Sequence, residues 1–520
     1  MKALMAIILS PLYALYWGTN GVWWGFRFSW ACIRRSQRFM LWIRNRNHKE
    51  RSTYGDAGYA TTKQLQEKGY VAPRKKLFRK VPDFTPGMLA CLSKDGQRIF
   101  TRDERSVLMM AQPGAGKSQH FIADLKATAE RANSELPFLI IGDAGNELFN
   151  AVGPILKAAG YQISKIDAVK PEQFTKYDFL AELDTRIPAR HLFKRKLAMI
   201  CESMIPQEKG TKQPHFVEFA RLLLKCAITA DVLYEGNKRT IVQIIEMLLD
   251  DDEREALLKR AAVYDDKILK AVLKSMQRML SNPEGGSVMS TALRTLEPWA
   301  DPAIEQITTF GKKEDGTYYR GWNFTKLLTQ PEPVVLFIRS GYQDVGGHLS
   351  RLIYECAVDA VSGIWDATDK PLRRKLHIYV DEAGLTGYCA AIVKAFSRLR
   401  KVGAHLRMCF VSMDELKDAY PYPHYKTLLN GCDLIISGGG NDMDLSKFAS
   451  ELAGEFTVQS HSQTESKSGE SRGRSEQRRR LENPDEIRAM VDTELMVFLD
   501  NLVVRGIKPW RKVGGKIEHL

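Results

Sequence analysis

The amino-acid sequence predicts an α/β fold: a parallel sheet covered by helices on both faces, with an inserted all-α domain and an N-terminal transmembrane helix. Three observations predict it. From about residue 81 onward, short β-rich apolar runs alternate with helical stretches, the pattern of strands buried on both faces. Between about 184 and 330 that alternation gives way to apolar residues at three- and four-residue spacing. Residues 3–26 contain no charged side chain.

The uncharged segment is 24 residues long, about 36 Å as a helix and enough for a bilayer. Trp17, Trp23, Trp24 and Trp30 suit an interfacial belt, and Arg34, Arg35, Arg38, Arg44, Arg46, Lys49 and Arg51 follow. That order places the downstream chain in the cytoplasm. Two other readings compete: a cleaved signal peptide, with Lys2 ahead of an apolar core, and a short hairpin dipping into the membrane at Gly18-Thr-Asn-Gly21. Residues 1–33 are read as one anchor and 34–80 as a basic juxtamembrane segment. Of the net charge of +14, +11 lies in 34–80 and only +1 in 81–520. The basicity therefore fits anionic lipid headgroups better than a nucleic-acid surface spread over the body.

With 520 residues, 44% hydrophobic and 27% charged, the chain has room for about three ordinary globular domains. Its eight cysteines form no C-x-x-C pair and sit mostly in apolar runs. They read as buried thiols in a reducing compartment, with neither a disulfide framework nor a zinc site.

The first part of the core, 81–183, has strands at 107–111, 137–142 and 162–166. The strand at 107–111 breaks into Ala111-Gln112-Pro113-Gly114-Ala115-Gly116-Lys117-Ser118, followed by Gln119 and a helical stretch to 131. This is the form of a phosphate-binding loop, with Ala111 where the consensus has glycine. The glycines let the backbone curl so that successive N–H groups, from Gln112 to Gln119, face the phosphates. Lys117 reaches the outer phosphates and Ser118 offers its hydroxyl to Mg²⁺, while the helix start adds the positive end of its dipole. A chance glycine turn is the competing reading.

The insertion, 184–330, is predicted all-α, with helices at 216–234, 240–249, 253–263, 267–280 and 287–296. The second part of the core, 331–520, resumes with strands at 334–338, 376–380, 406–411, 434–436 and 495–499. The strand Lys375-Leu-His-Ile-Tyr-Val ends in Asp381-Glu382. Asp381 is the candidate Mg²⁺ ligand and Glu382 the residue that polarises the attacking water. Asp143, also at a strand end, would either approach the metal or cap the next helix. Arg400 is either an arginine completing a neighbouring subunit's site or part of a solvated helix face. Residues 459–480 have no large apolar side chain and are expected to form a mobile loop. Its Arg472, Arg474, Arg478, Arg479 and Arg480 would touch DNA phosphates or simply be solvated.

In this order, anchor, phosphate loop, helical insertion and Asp-Glu strand resemble the conjugative coupling ATPases of type IV secretion systems, the TraG/TraD class. Tyr54-Gly-Asp-Ala-Gly-Tyr-Ala-Thr61 resembles the family's G-x-A-x-W-A-T motif. Gly142-Asp-Ala-Gly-Asn-Glu147 is similar to its D-x-K-G-E element, with Gly145 for lysine and Asn146 for glycine. Asp381-Glu-Ala-Gly-Leu-Thr-Gly387 with Arg400-Lys-Val-Gly403 resembles D-E-F followed by R-K-x-G, and Arg480-Leu-Glu-Asn-Pro-Asp-Glu-Ile487 the C-terminal R-x-L-x-x-x-E-I region. Ser412-Met413 stand where many members have Gln-Ser, and one span is found where the family commonly has two. The resemblance implies a RecA-like P-loop ATPase core that uses ATP and Mg²⁺. It implies a hexamer at the bacterial inner membrane, with the bulk of the chain in the cytoplasm, beside the secretion channel components. A relaxase–DNA complex, single-stranded DNA or protein effectors would be driven toward the channel. The alternative is a nucleotide-binding recruitment platform without motor activity.

Overall fold

Apolar runs with no polar face become central strands, and the site lies where they end. The computed structural model describes residues 55–73, 84, 86–183, 190–206, 214–341, 344–438, 440–466, 469–513 and 516–520. The expected anchor, 1–33, and much of the basic segment lie outside them; among the described residues no helix is long and apolar enough to cross a membrane. The strands are β1 (Pro86–Leu92), β2 (Arg98–Arg102), β3 (Ser106–Met110), β4 (Phe138–Gly142), β5 (Gln162–Asp167), β6 (Val334–Arg339), β7 (Leu376–Val380), β8 (Ala404–Phe410), β9 (Cys432–Ser437), β10 (Glu455–Ser466), β11 (Gly469–Arg480), β12 (Glu494–Leu499), β13 (Leu502–Ile507), β14 (Trp510–Val513) and β15 (Lys516–His519).

The described chain forms two compact units: Tyr59–Ala453 with Glu482–Leu520, and the described part of Met1–Gly58 with Gly454–Leu481. In the first, eleven strands form one sheet in the order β2-β1-β13-β12-β9-β3-β8-β7-β4-β6-β5. From β9 to β5 all neighbours are parallel. Every residue of β3, β7, β8 and β9 is buried, as helices on both faces require.

The other side of the sheet corrects the wholly parallel expectation. The run at 495–499, in β12, pairs antiparallel with β9, and β13, β1 and β2 continue antiparallel. Asp500, at φ +52°, and Asn501 alone join Leu499 to its partner Leu502. A two-residue connection can only reverse the chain.

Between β5 and β6 the chain is helical, with helices Arg190–Met204, Pro214–Leu233, Ile241–Leu249, Asp251–Val263, Lys267–Leu280, Gly285–Leu296, Pro302–Thr308 and Phe324–Thr329. A single antiparallel bridge, Lys312 to Tyr318, interrupts the described helices. Their starts follow from capping: Thr240 forms a capping box with Gln243, and Asp250 and Asp301 accept the N–H groups of Glu253 and Ala303. Arg320 ties the stretch to the chain leaving β5, donating to Asp178 (2.8 Å) and Asn237 (2.9 Å). The seven described cysteines are all free and buried.

In the second unit, β10 and β11 pair antiparallel from Glu455–Arg480 to Ser466–Gly469. The loop expected at 459–480 is therefore a hairpin over its described residues. A backbone ladder needs no apolar side chain, and the register sets Glu455 against Arg480, with Arg478 ion-paired to Glu455. Gly55–Gly58 runs beside β10, with the Ala57 N–H on the Glu455 carbonyl (3.0 Å) and the Thr457 N–H on that of Gly55 (3.2 Å). Gly55 sits at φ +140°, and a Cβ there would lie 2.4 Å from the Glu455 oxygen, so this approach requires glycine.

Candidate nucleotide site

Parallel strands present their carboxyl ends together, and every central group of the site comes from such an end. The turn after β3 is held at its root, where the Ala111 N–H donates to the Phe410 carbonyl at 3.1 Å, and it closes on itself through Ala115 N–H to Gln112 O at 3.1 Å. Gly114 and Gly116 stand at φ +78° and +84°, conformations that side chains resist. Gly116 then caps the helix Lys117–Ala129. A turn of this shape followed at once by a helix start directs N–H groups at one point and suits an anion.

The Ser118 hydroxyl donates to Asp381 Oδ2 at 2.8 Å. The phosphate loop and the acid after β7, strands apart in sequence order, thus meet in one place. Asp381 is buried, and its Oδ1 has no hydrogen-bond partner among the described residues. Burial pushes its carboxyl up to about 7; the Ser118 bond opposes the shift, and Asp143, Glu382 and Glu147 add to it. A buried, half-bonded carboxylate among like charges is short of a cation. Together with a hydroxyl it fits Mg²⁺, a hard ion that takes oxygen donors and keeps open positions for phosphate. Among the described residues no group of three or more His, Cys, Asp or Glu side chains could hold a metal by itself.

Glu382 is also raised, by burial first; Lys117 opposes and Glu415 reinforces. The Lys117 ammonium donates to the Ala111 carbonyl at 3.4 Å. Around these groups is a cleft of about 470 Å³ lined by Pro113, Gly114, Gly116, Lys117, Ser118, Gln119, Glu147, Asp381, Glu382, Leu385, Cys409, Val411 and Glu415. A larger cleft of about 730 Å³, near Arg105, Lys417 and Phe448, lies away from these groups.

The remaining expected residues are placed as follows. Ala115 packs on the core and Gln119 donates to Glu147 Oε1 (2.5 Å). The Gln112 amide oxygen, oriented so that both ends are satisfied, accepts the N–H groups of Asn441 (2.6 Å) and Asp442 (3.1 Å) beyond β9. Of its two expected roles Asp143 shows the cap: it accepts the Phe149 N–H at 2.8 Å, at the start of the helix Glu147–Ala158. Arg400 is not brought to this chain's own site. It follows the helix Ala390–Arg398 in a short turn before β8 and donates to Glu104 at 3.2 Å, ahead of β3, at the amino ends of the strands.

Two groups escaped the sequence reading. Glu415 lines the cleft, where its Oε2 accepts the Val411 N–H at 2.5 Å while Ser412 Oγ accepts the N–H of Glu415 at 3.1 Å. The readable signal was Ser412-x-x-Glu415, a helix-start pattern. The other is the segment 508–520: the Lys508 ammonium donates to the Ala115 carbonyl at 2.9 Å, and the Trp510 ring lies against Gly116.

Residues 58–503 match the family model described as "Type IV secretory system Conjugative DNA transfer". The fold is similar to that of a solved bacterial conjugative coupling protein, TrwBdeltaN70 in an unbound form, at 15% identity and a TM-score of 0.57, covering 88% of this chain and 95% of that one. It is equally similar to the plasmid coupling protein TrwB in complex with ADP and Mg²⁺, at 15% identity and a TM-score of 0.57, covering 88% and 96%. Comparison with curated protein sequences gives no match.

Proposed function

The chain belongs to the type IV secretory system conjugative DNA transfer family, and from that premise we propose that it is the membrane-anchored ATPase that couples a relaxase–DNA complex or a protein effector to the secretion channel. One observation carries the ATPase reading: the 2.8 Å bond from Ser118 to Asp381, with the second Asp381 oxygen buried and unbonded and Glu382 beside it. The TrwB complex with ADP and Mg²⁺ supports the same nucleotide and metal here.

In this reading the N–H groups of 112–119 orient the phosphates of ATP. Lys117 moves from the Ala111 carbonyl to the outer phosphates. Ser118 and Asp381 would hold Mg²⁺, which would supply a positive charge to offset that of the phosphate oxygens. Glu382, raised by burial, takes the proton side of the attacking water's hydrogen bond. Arg400, facing away from its own site, would act on a neighbour's nucleotide in a hexamer. The segment 1–33 would hold the protein in the bacterial inner membrane with its body in the cytoplasm. The basic run behind it would meet anionic lipid. The strands and helices of 81–520 would work on single-stranded DNA or protein.

A recruitment platform that binds nucleotide without turning it over is the second reading. It is favoured by Glu415 in the cleft, where an extra negative charge faces Glu382. Turnover of ATP, measured with and without single-stranded DNA, separates the two. The motor reading expects Glu382→Gln and Lys117→Ala to lose turnover and substrate transfer together. Normal transfer by both variants would leave the platform.

A further inference from the structure

We propose that Lys508 and Trp510 are positioning residues for the nucleotide, and that with His519 they clamp the phosphate loop from outside in its phosphate-ready shape. This deepens the ATPase reading and rests on it.

Three separate contacts carry the proposal. The first fixes a peptide plane. Lys508 is 2% exposed, and its ammonium donates to the Ala115 carbonyl at 2.9 Å. In a trans peptide the N–H of the next residue points opposite to that carbonyl. Holding the Ala115 oxygen outward therefore turns the Gly116 N–H away from Lys508, and Gly116 lines the cleft. The second contact fixes a dihedral. Gly116 stands at φ +84°, and a Cβ built on it would lie 2.0 Å from Trp510 Cζ2. The indole is thus in close contact with the glycine, and movement of the loop toward it is blocked. Lys508 also lies 5.4 Å from the centre of the Trp510 ring, so the two act as one block.

The third contact fixes the helix that follows. β14 and β15 form a small hairpin. From its end His519 Nε2 meets Gln119 Oε1 and its Nδ1 meets the Lys126 ammonium, both at 3.1 Å. Loop and helix are so gripped at both ends by residues from one short segment. The buried Trp510 indole N–H has no partner among the described residues, so the ring is held by packing and not by a hydrogen bond of its own. A phosphate loop needs only its own glycines to curl. This clamp adds a constraint 393 residues away in sequence from the carbonyl it holds, and it makes nucleotide affinity depend on residues outside the loop.

The test is Mg-ADP affinity and steady-state ATPase kinetics of the full chain and of Trp510→Ala, Trp510→Phe and Lys508→Met. Trp510→Ala and Lys508→Met are expected to bind Mg-ADP about tenfold more weakly, with KM raised and kcat little changed, because a misplaced loop loses ground-state and transition-state contacts alike. Trp510→Phe, which keeps a ring on Gly116, is expected to stay within about twofold of the parent. The parent-minus-Trp510→Phe emission, which isolates one of the chain's nine tryptophans, should change on adding Mg-ADP. Affinities of both Trp510→Ala and Lys508→Met within twofold of the parent overturn the clamp and leave the ATPase reading standing. Should those two variants fail to fold, an unchanged difference emission overturns it equally. Absence of Mg-ADP binding by the parent itself would instead sink the ATPase reading.

Discussion

Two buried aspartates at opposite ends of the parallel strands, Asp103 and Asp381, stand in opposite electrostatic states. At the amino ends charges have partners. Asp103 pairs with Lys375 and lies 3.6 Å from the His377 ring, which burial keeps neutral, and these two contacts hold its carboxyl well below the usual range against the pull of burial. Arg105 bonds Asp433 Oδ1 at 3.0 Å, although burial still pushes that carboxyl up to about 6 and its Oδ2 has no partner among the described residues. Arg374 donates to the carbonyls of Pro331 (2.8 Å), Asn133 (2.6 Å) and Leu136 (2.9 Å). His405 is buried and neutral, pushed down to about 4. At the carboxyl ends Asp381, as buried as Asp103, has a hydroxyl on one oxygen, nothing on the other, and carboxylates around it. The difference separates a carboxylate that closes the fold, Asp103, from one that waits for a ligand, Asp381: unfolding is opposed at the first, and binding energy is stored at the second.

Swapping each aspartate for its amide is the strongest way to break this contrast. Asp381→Asn is expected to cut ATP turnover about 10²-fold or more, the scale for losing a group that stabilises transferring charge, while the unfolding free energy without nucleotide stays level or rises. Asp103→Asn is expected to leave turnover near normal and to cost about 1–3 kcal/mol of stability, since the buried carboxylate loses its bonds to Lys375 and His377. Urea unfolding and phosphate release on the same preparations check both. Equal destabilisation by the two changes would show that Asp381 is held by the fold and not reserved for a ligand.

A smaller effect, with opposite signs at the two ends, is expected in the pH dependence. The Asp381 carboxyl is raised from 3.8 to about 7 in the folded chain, so the folded state binds that proton more tightly. Its contribution to stability is fully present below about pH 4 and is lost as the pH climbs toward 7, at up to about 1.4 kcal/mol per unit. For Asp103 the folded value is depressed, so its contribution holds above about pH 4 and is lost only as the pH falls further. Without nucleotide, Asp381→Asn should therefore gain stability over the parent between pH 5 and 8, and Mg-ADP should remove the parent's deficit. A stability difference that stays flat across that range would contradict the assignment.

How much of this was legible in the sequence depended on whether a feature is local. The central strands were readable because parallel strands with two buried faces must be continuous apolar runs, as in 376–380 and 434–436. Lys117, Ser118, Asp381 and Glu382 were readable because strand-terminal turns place them without reference to anything distant. The antiparallel half was legible only at β12, whose run at 495–499 was read as a strand. β2 (Arg98–Arg102) and β13 (Leu502–Ile507) carry arginine and glycine and look like loops until Asp500-Asn501 is seen as a reversing turn. The hairpin β10–β11 was missed because its stability lies in backbone pairing, which leaves no apolar signature. Lys508 and Trp510 were invisible because their role is a contact across 393 residues, and no short pattern encodes it.

The smallest expected effect concerns Arg400, the one candidate site residue that the fold puts at the closing end. Its pair with Glu104 is half exposed, at 46% and 44%, with 3.2 Å between the charges. Exposed pairs of this sort contribute about 0–1 kcal/mol, so neither Arg400→Ala nor Glu104→Gln should shift the urea midpoint measurably. Their effects on turnover separate the readings of Arg400. As a solvated residue it can be removed without loss. As a group that completes a neighbouring subunit's site, it is expected to reduce turnover only in the assembled state, with Glu104→Gln left active. Mixing supplies the decisive measurement: Arg400→Ala combined with Lys117→Ala should regain part of the parent turnover, because some subunit junctions then pair an intact loop with an intact arginine. No recovery in such mixed assemblies, with each variant inactive alone, would place the Arg400 defect within its own chain, at the same end as Asp103.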